Sequence, residues 1–412
     1  MNRFFKILFL LLPLTTYYLP LTVVHAAELI PMGDFRILGG QYYFNTTPSS
    51  LSGNMSFTFV PAIKFNEKFT LVNTYMGSYK GSKEVNDLVG GGTLFQDSQN
   101  HLLSVKGVYA YLPELKFKLG ASYRMEMLRE TKNEMWGEGL FDYNKTNFGF
   151  ETEYTYMKKY SARVGIDQYA LAFPNYASLE SAQTADLGRE LAGKNTLNSN
   201  NTMLSLKLGG NFGPVSQRVG QVKAEVSYGA TAKAFPDQPL VLSDGNLSTD
   251  KRNDAYSLIG LGITSSFKTV KGVTLVPNVE YQLITNNSTQ AHYDARKAKF
   301  TADYYDYSYT AITPALNFIV GTLPWAVTLS ATTGSQIYKE RLVQDVDGNY
   351  TSDKIIVDEK IYGIGFVYPV APSIKLRAIY NYVDSKSNMK YEKSYSYNYI
   401  SSDYLMGFNL EF

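Results

Sequence analysis

The residues of this chain best suited to chemistry are charges set two apart. Lys116, Lys118, Arg124 and Glu126 occupy one phase of a run whose other phase is Leu115, Phe117, Leu119, Ala121, Tyr123 and Met125. Glu151 and Glu153, Arg163 and Asp167, Lys223 and Glu225, and Lys375 and Arg377 recur in the same manner, joined by Lys106, Lys207 and Glu280. A face of this kind holds water, and rings of charge on it bias which ions or solutes pass. Both signs share the phase, with a basic excess along Leu115–Arg129. That mixture predicts weak selectivity and no dedicated filter for one sign.

Catalytic chemistry has little to work with. His101 and His292 are the histidines beyond the N-terminal segment, and neither has a nucleophile at a motif spacing. Among the alternating segments His101 falls at the outer end of a strand and His292 in a loop. No catalytic residue is assigned and no enzyme is expected. Gly90-Gly91-Gly92 is not followed by Lys and Ser or Thr, so it reads as loop and not as a phosphate cradle. Asp345-Val346-Asp347-Gly348-Asn349 lacks the terminal Glu of a calcium loop and reads as an Asp-Gly turn. With no cysteine, thiolate-held zinc, iron–sulfur clusters and disulfide scaffolds are excluded. No metal or cofactor is implied.

Composition narrows the class further. Of 412 residues 18% are charged, below the roughly 25% of an average soluble protein. The chain holds 34 Tyr and 23 Phe, which excludes a disordered chain. Lys plus Arg, at 39, nearly balances Asp plus Glu, at 37, which argues against a nucleic-acid binder. Residues 1–26 have the layout of a secretory signal peptide: cations at Arg3 and Lys6, a mostly apolar Ile7–Val24, and Val24-His25-Ala26 before a cut. A short periplasmic segment, 27–34, is expected to precede a single domain at 35–412.

That domain alternates with period two. Met55, Phe57 and Phe59 alternate with Asn54, Ser56 and Thr58, and Val222, Ala224, Val226 and Tyr228 with Lys223, Glu225 and Ser227. The segments run about ten to fourteen residues, longer than ordinary soluble strands. Short links such as Asn66-Glu67, Pro113-Glu114 and Met157–Lys159 alternate with long ones such as Gly81–Asn100, Glu130–Thr146 and Pro174–Asn200. Short turns at one end and long loops at the other are the habit of a transmembrane antiparallel up-and-down β-barrel, here of about sixteen strands. The mixed phase of Lys68–Lys80 and the reading of Gly137–Tyr143 as loop leave fourteen or eighteen open.

Tyr404, Met406, Phe408, Leu410 and Phe412 alternate to a terminal aromatic ring. This resembles the C-terminal signal of Gram-negative outer-membrane β-barrel proteins, read in that family by the barrel-assembly machinery. The resemblance implies an integral outer-membrane location in contact with lipid and lipopolysaccharide. Association into a homo-oligomer stays open, because lipid-facing residues mimic an interface.

In size the chain is similar to the general porins, which implies passive diffusion of small hydrophilic solutes. Porins fold their third long loop inward as a constriction. Here that loop carries Glu130, Glu134, Trp136, Glu138 and Asp142, without the Pro-Glu-Phe-Gly-Gly type sequence of porins. Phe173-Pro174-Asn175-Tyr176 and Phe141-Asp142-Tyr143-Asn144 resemble pieces of barrels fused behind tetratricopeptide repeats, some of which secrete polysaccharide or display surface proteins. A gated or partner-occupied export barrel is therefore the alternative. Leu179, Ala182, Leu187 and Leu191 have roughly helical spacing within the longest loop. The tyrosine clusters at 304–309 and 391–399 are expected to form the outer aromatic girdle, in preference to a sugar-stacking platform at the rim.

An oily outer face predicts that the purified protein stays dispersed in detergent and precipitates on its removal. Size-exclusion chromatography with and without detergent checks this.

Overall fold

The computed structural model describes residues 27–45, 47–48, 52–86, 93–129, 133–178, 188–216, 218–269, 272–321, 325–392 and 396–412. The segment 1–26, expected to be a signal peptide, lies outside them. The wall is made of sixteen strands. They are β1 (Gly33–Phe44), β2 (Ser52–Phe59), β3 (Phe69–Asn86), β4 (Thr93–Ala110), β5 (Leu115–Arg129), β6 (Tyr143–Tyr156), β7 (Tyr160–Ala172) and β8 (Ser199–Phe212). Then follow β9 (Val219–Val241), β10 (Leu247–Lys268), β11 (Val273–Ser288), β12 (Tyr307–Val320), β13 (Trp325–Gln344), β14 (Tyr350–Ala371), β15 (Ile374–Ser387) and β16 (Tyr399–Glu411). Each pairs antiparallel with its neighbour in sequence. β1 also pairs with β16, from Asp34↔Glu411 to Phe44↔Ser401, and that closes the barrel. Glu28–Ile30 pairs with Ala62–Lys64 and prolongs the first hairpin at the short-turn end.

Sidedness follows from the period. Leu119, Phe148, Val164, Ile263 and Met406 are each more than half exposed on the outer face. The alternate positions carry the charges. At the C-terminal strand Tyr404, Met406, Phe408, Leu410 and Phe412 all point outward and exposed, while Leu405 and Asn409 are buried on the inner side. An apolar belt outside a polar interior is the arrangement lipid requires.

The closing seam is tight. A Cβ on Gly40 would collide with the carbonyl oxygen of Tyr404, and one on Gly407 with that of Ile37. Glycine at these two positions leaves room for the facing backbone. At the short-turn end the links are local devices. Asn66 accepts from the N–H groups of Lys68 and Phe69 at 2.9 and 2.8 Å. Met157 and Lys158 sit at φ of 51° and 56° and turn the chain between β6 and β7.

The long links are shorter than their polar composition suggests. Strand pairing continues to Asn86 and resumes at Thr93, so most of Gly81–Asn100 is wall. β9 and β10 likewise pair as far as Val241↔Leu247. Cross-strand hydrogen bonding keeps a polar hairpin extended beyond the apolar belt, where side-chain periodicity no longer marks it.

Leu261→Arg, at the outer face, is expected to destabilise the folded barrel by about 2–4 kcal/mol, and Ser122→Arg on the inner face by far less. Urea titration of the protein folded into phosphatidylcholine vesicles measures the difference.

Candidate functional site

Toward the short turns the inner wall carries a belt of ion pairs that crosses several strands. Lys118 on β5 donates to Glu151 and Glu153 on β6, both at 2.6 Å. Arg163 on β7 and Lys207 on β8 stand directly opposite each other. Like charges so placed would repel, and each turns instead to an acid on its other side. Arg163 Nε is 3.1 Å from Glu153, and Lys207 Nζ is 2.6 Å from Glu225. Lys223 lies 3.9 Å from Glu225, and Lys375 2.6 Å from Glu411. All are partly exposed to the lumen, so each pair adds at most about 1 kcal/mol. Their larger effect is to keep the interior wet and nearly neutral.

Three inward acids are held by neutral partners. Glu126 accepts from the Tyr143 hydroxyl at 2.7 Å, Asp167 from Asn147 at 3.1 Å, and Glu280 from Asn278 at 2.9 Å. Arg124 faces Lys145 across β5 and β6. Lys106, Lys116 and Arg377 share the inner phase of their strands.

The loop expected as a constriction lies elsewhere. The Arg129 guanidinium sits 4.5 Å over the Trp136 ring, and Tyr79 meets that ring edge-on at 6.3 Å. Arg129, Asp97 and Tyr79 belong to the outward phase, so Trp136 rests on the outer rim of β3–β5. Glu138 is exposed. Asp142 is buried where it accepts from the Leu128 N–H at 2.7 Å. Asn175, from the next long loop, donates to the carbonyls of Gly137 and Gly139 at 2.8 and 3.1 Å. Glu130 lies outside the described residues. None of Glu134, Trp136, Glu138 and Asp142 lines the cavity described next.

At the long-loop end the barrel holds a cavity of about 600 Å³. Its walls include Tyr169, Lys233, Asn286, Tyr307, Tyr309 and Glu359 from strands, and Phe173, Leu197, Tyr305 and Tyr397 from loops. The tyrosine clusters are therefore inside and not in an outer girdle. Tyr305, Tyr397 and Tyr399 are buried, and Tyr395 lies outside the described residues. Two apolar clusters hold the loops: Phe173, Tyr176, Leu191 and Leu197 on one side, and Tyr338, Val343, Ile355, Met389 and Tyr397 on the other.

One carboxylate joins these loops. Glu190 is 0% exposed, in a short 3-10 turn, Arg189–Leu191. It accepts from the Tyr305 hydroxyl at 2.7 Å, lies 2.9 Å from His292 Nδ1, and meets the Tyr293 N–H at 3.4 Å. Its own carbonyl accepts from Gln238 at 3.2 Å, and Gln238 in turn accepts from Arg252 at 3.2 Å. Arg252 is bidentate to Asp254 at 2.8 and 2.7 Å. Burial, then the charge of Glu190, push the Tyr305 phenol well above its usual range. His292 stacks on Tyr304 at 4.1 Å. The remainder of the helical spacing read in this loop, Leu179 to Leu187, lies outside the described residues. His101 sits in the middle of β4, not at a strand end, and hydrogen-bonds the Tyr75 hydroxyl at 3.1 Å.

A closed wall, oily outside and charged inside, decides the architecture. This is an outer-membrane type β-barrel. No protein-family model and no curated protein sequence matches the chain. Among solved structures it is similar to a loop-deletion mutant of OmpT, an outer membrane protein of Vibrio cholerae, at 11% identity and a TM-score of 0.45, covering 94% of this chain and 100% of that one. A bacterial polysaccharide outer membrane secretin matches at 10% identity and 0.44, over 95% and 100% of the two chains. The FrpB iron transporter from Neisseria meningitidis matches at 10% and 0.40, over 89% of this chain and 65% of its own. Likeness this low says nothing of solute or partner.

Glu190→Ala would strand His292 and Tyr305, at a cost of about 1–3 kcal/mol. The loops are expected to become protease-sensitive while the wall stays folded. Because the Tyr305 phenol is held above its usual range, its contribution is complete below about pH 10 and declines as pH rises past it. Limited proteolysis from pH 7 to 11 should therefore make wild type at high pH resemble Glu190→Ala at neutral pH.

Proposed function

We propose that the protein is an outer-membrane channel for passive diffusion of small hydrophilic solutes, exported by a cleaved signal peptide. The observation that carries this is the ion-paired inner belt facing the lumen of a closed sixteen-stranded wall. A barrel of this strand number is too wide for its own side chains to fill. Charges buried against a dry core would be costly, whereas against water they are cheap. The long loops face the exterior and the short turns the periplasm. Lys106, Lys116, Arg124 and the paired residues line the path, and the mixing of both signs among them supports weak ion preference. The apolar belt meets lipid and lipopolysaccharide, and the outward C-terminal strand is the segment read by the assembly machinery.

The loop cluster around Glu190 favours a second reading, a barrel gated for export of a polymer or partner. One experiment separates the two. In a planar bilayer wild type is expected to show stepwise conductance. A barrel silent in wild type but conducting as Glu190→Ala supports gated export, and silence in both overturns the channel.

A further inference from the structure

The cavity at the long-loop end holds a cation that has no acidic partner among the described residues. Arg341 lines it and is 5% exposed. Its guanidinium carbon lies 4.4 Å over the Tyr304 ring and 5.0 Å over the Tyr338 ring. Its Nε has no hydrogen-bond partner, and among the described residues no carboxylate lies within ion-pair distance. The nearby Arg252 is the contrast, since both its bonds to Asp254 are made. A buried guanidinium without an acid is expensive unless an anion completes it.

The backbone has been bent to place this residue. Between Ile337 and Leu342 β13 advances five residues while β14 goes only from Ile356 to Lys354. Strict alternation would put Arg341 on the outward phase with Ile337, which is 46% exposed. The bulge turns it inward beside Tyr338. Bulges that re-aim a side chain cluster at functional sites.

Lys233 adds a second cation on the wall, 4.7 Å over the Tyr256 ring. Glu359 lines the same cavity and would repel a second negative charge on a ligand. Phenol rings of Tyr169, Tyr305, Tyr307 and Tyr397 share the lining with aliphatic, amide and hydroxyl side chains. Such rings stack on planar or pyranose faces. The volume suits one small molecule.

We propose that the cavity binds a small ring-bearing monocarboxylate, with Arg341 as counter-ion to the acid and the tyrosines as walls for the ring. The site deepens the channel reading by giving its mouth a preferred solute. Binding in detergent succeeds or fails independently of conductance.

The test is equilibrium dialysis of the full barrel in detergent against benzoate and glucuronate, with benzyl alcohol and glucose as neutral counterparts and phthalate as a diacid. At least one monoacid is expected to saturate a single site. Its neutral counterpart should bind about tenfold or more weakly, as should Arg341→Gln, the loss expected for one charge-assisted contact. Phthalate should bind more weakly than benzoate. Which monoacid binds tells an aromatic acid from a sugar acid. Equal binding of acids and neutrals, no saturable binding, or a folded Arg341→Gln that binds like wild type overturns the proposal. Should that variant fail to fold, the acid-to-neutral ratio in wild type decides.

Discussion

Everything in this molecule depends on the hydrogen-bond ladder having no ends. In hydrocarbon an unpaired N–H or C=O has no water to turn to, so a sheet survives there only as a closed ring. The pairing of β1 with β16 supplies that closure. It ties the first wall strand to the last, which means the barrel cannot close until the chain is nearly complete. Gly40 and Gly407 at the seam let the two backbones approach where a side chain would hold them apart.

Closure imposes the division of the side chains. Once the ring exists, each residue faces lipid or lumen, and period two decides which. The charges go in, and the cross-strand register then sets their partners. Arg163 and Lys207 face each other as like charges because the register requires it, and neighbouring acids on β6 and β9 neutralise them. The result is a wall that is polar, hydrated and close to neutral.

The two ends of the barrel obey different physics. Short turns need only local geometry, as at Asn66 and at Met157–Lys158. The long-loop end has no lipid to enforce a period. Its order comes from contacts between residues far apart in the chain, with Glu190 drawing together a 3-10 turn, His292 and Tyr305. Those contacts leave an aromatic cavity with Arg341 on its wall.

The amino-acid sequence by itself determined the kind of wall: a barrel of about sixteen period-two strands, the outward C-terminal strand and the inward phase of residues such as Lys118 and Glu153; closure of the structure settled the count at sixteen. Lipid imposes a strict two-residue rule on every strand, and a rule that strict is readable without coordinates. The mouth was decided only by tertiary structure. Tyr304 and Tyr305 look like girdle residues, yet they pack inward because loop contacts, not lipid, position them. Arg341 reads as off-phase until the bulge between β13 and β14 reverses it. Glu190 was one acid among several in a polar stretch, and its partners lie more than a hundred residues away. Trp136 gave no sign of which side of the rim it would take. Periodicity carries information where one solvent acts on every residue of a strand, and it is silent where distant segments choose their own partners.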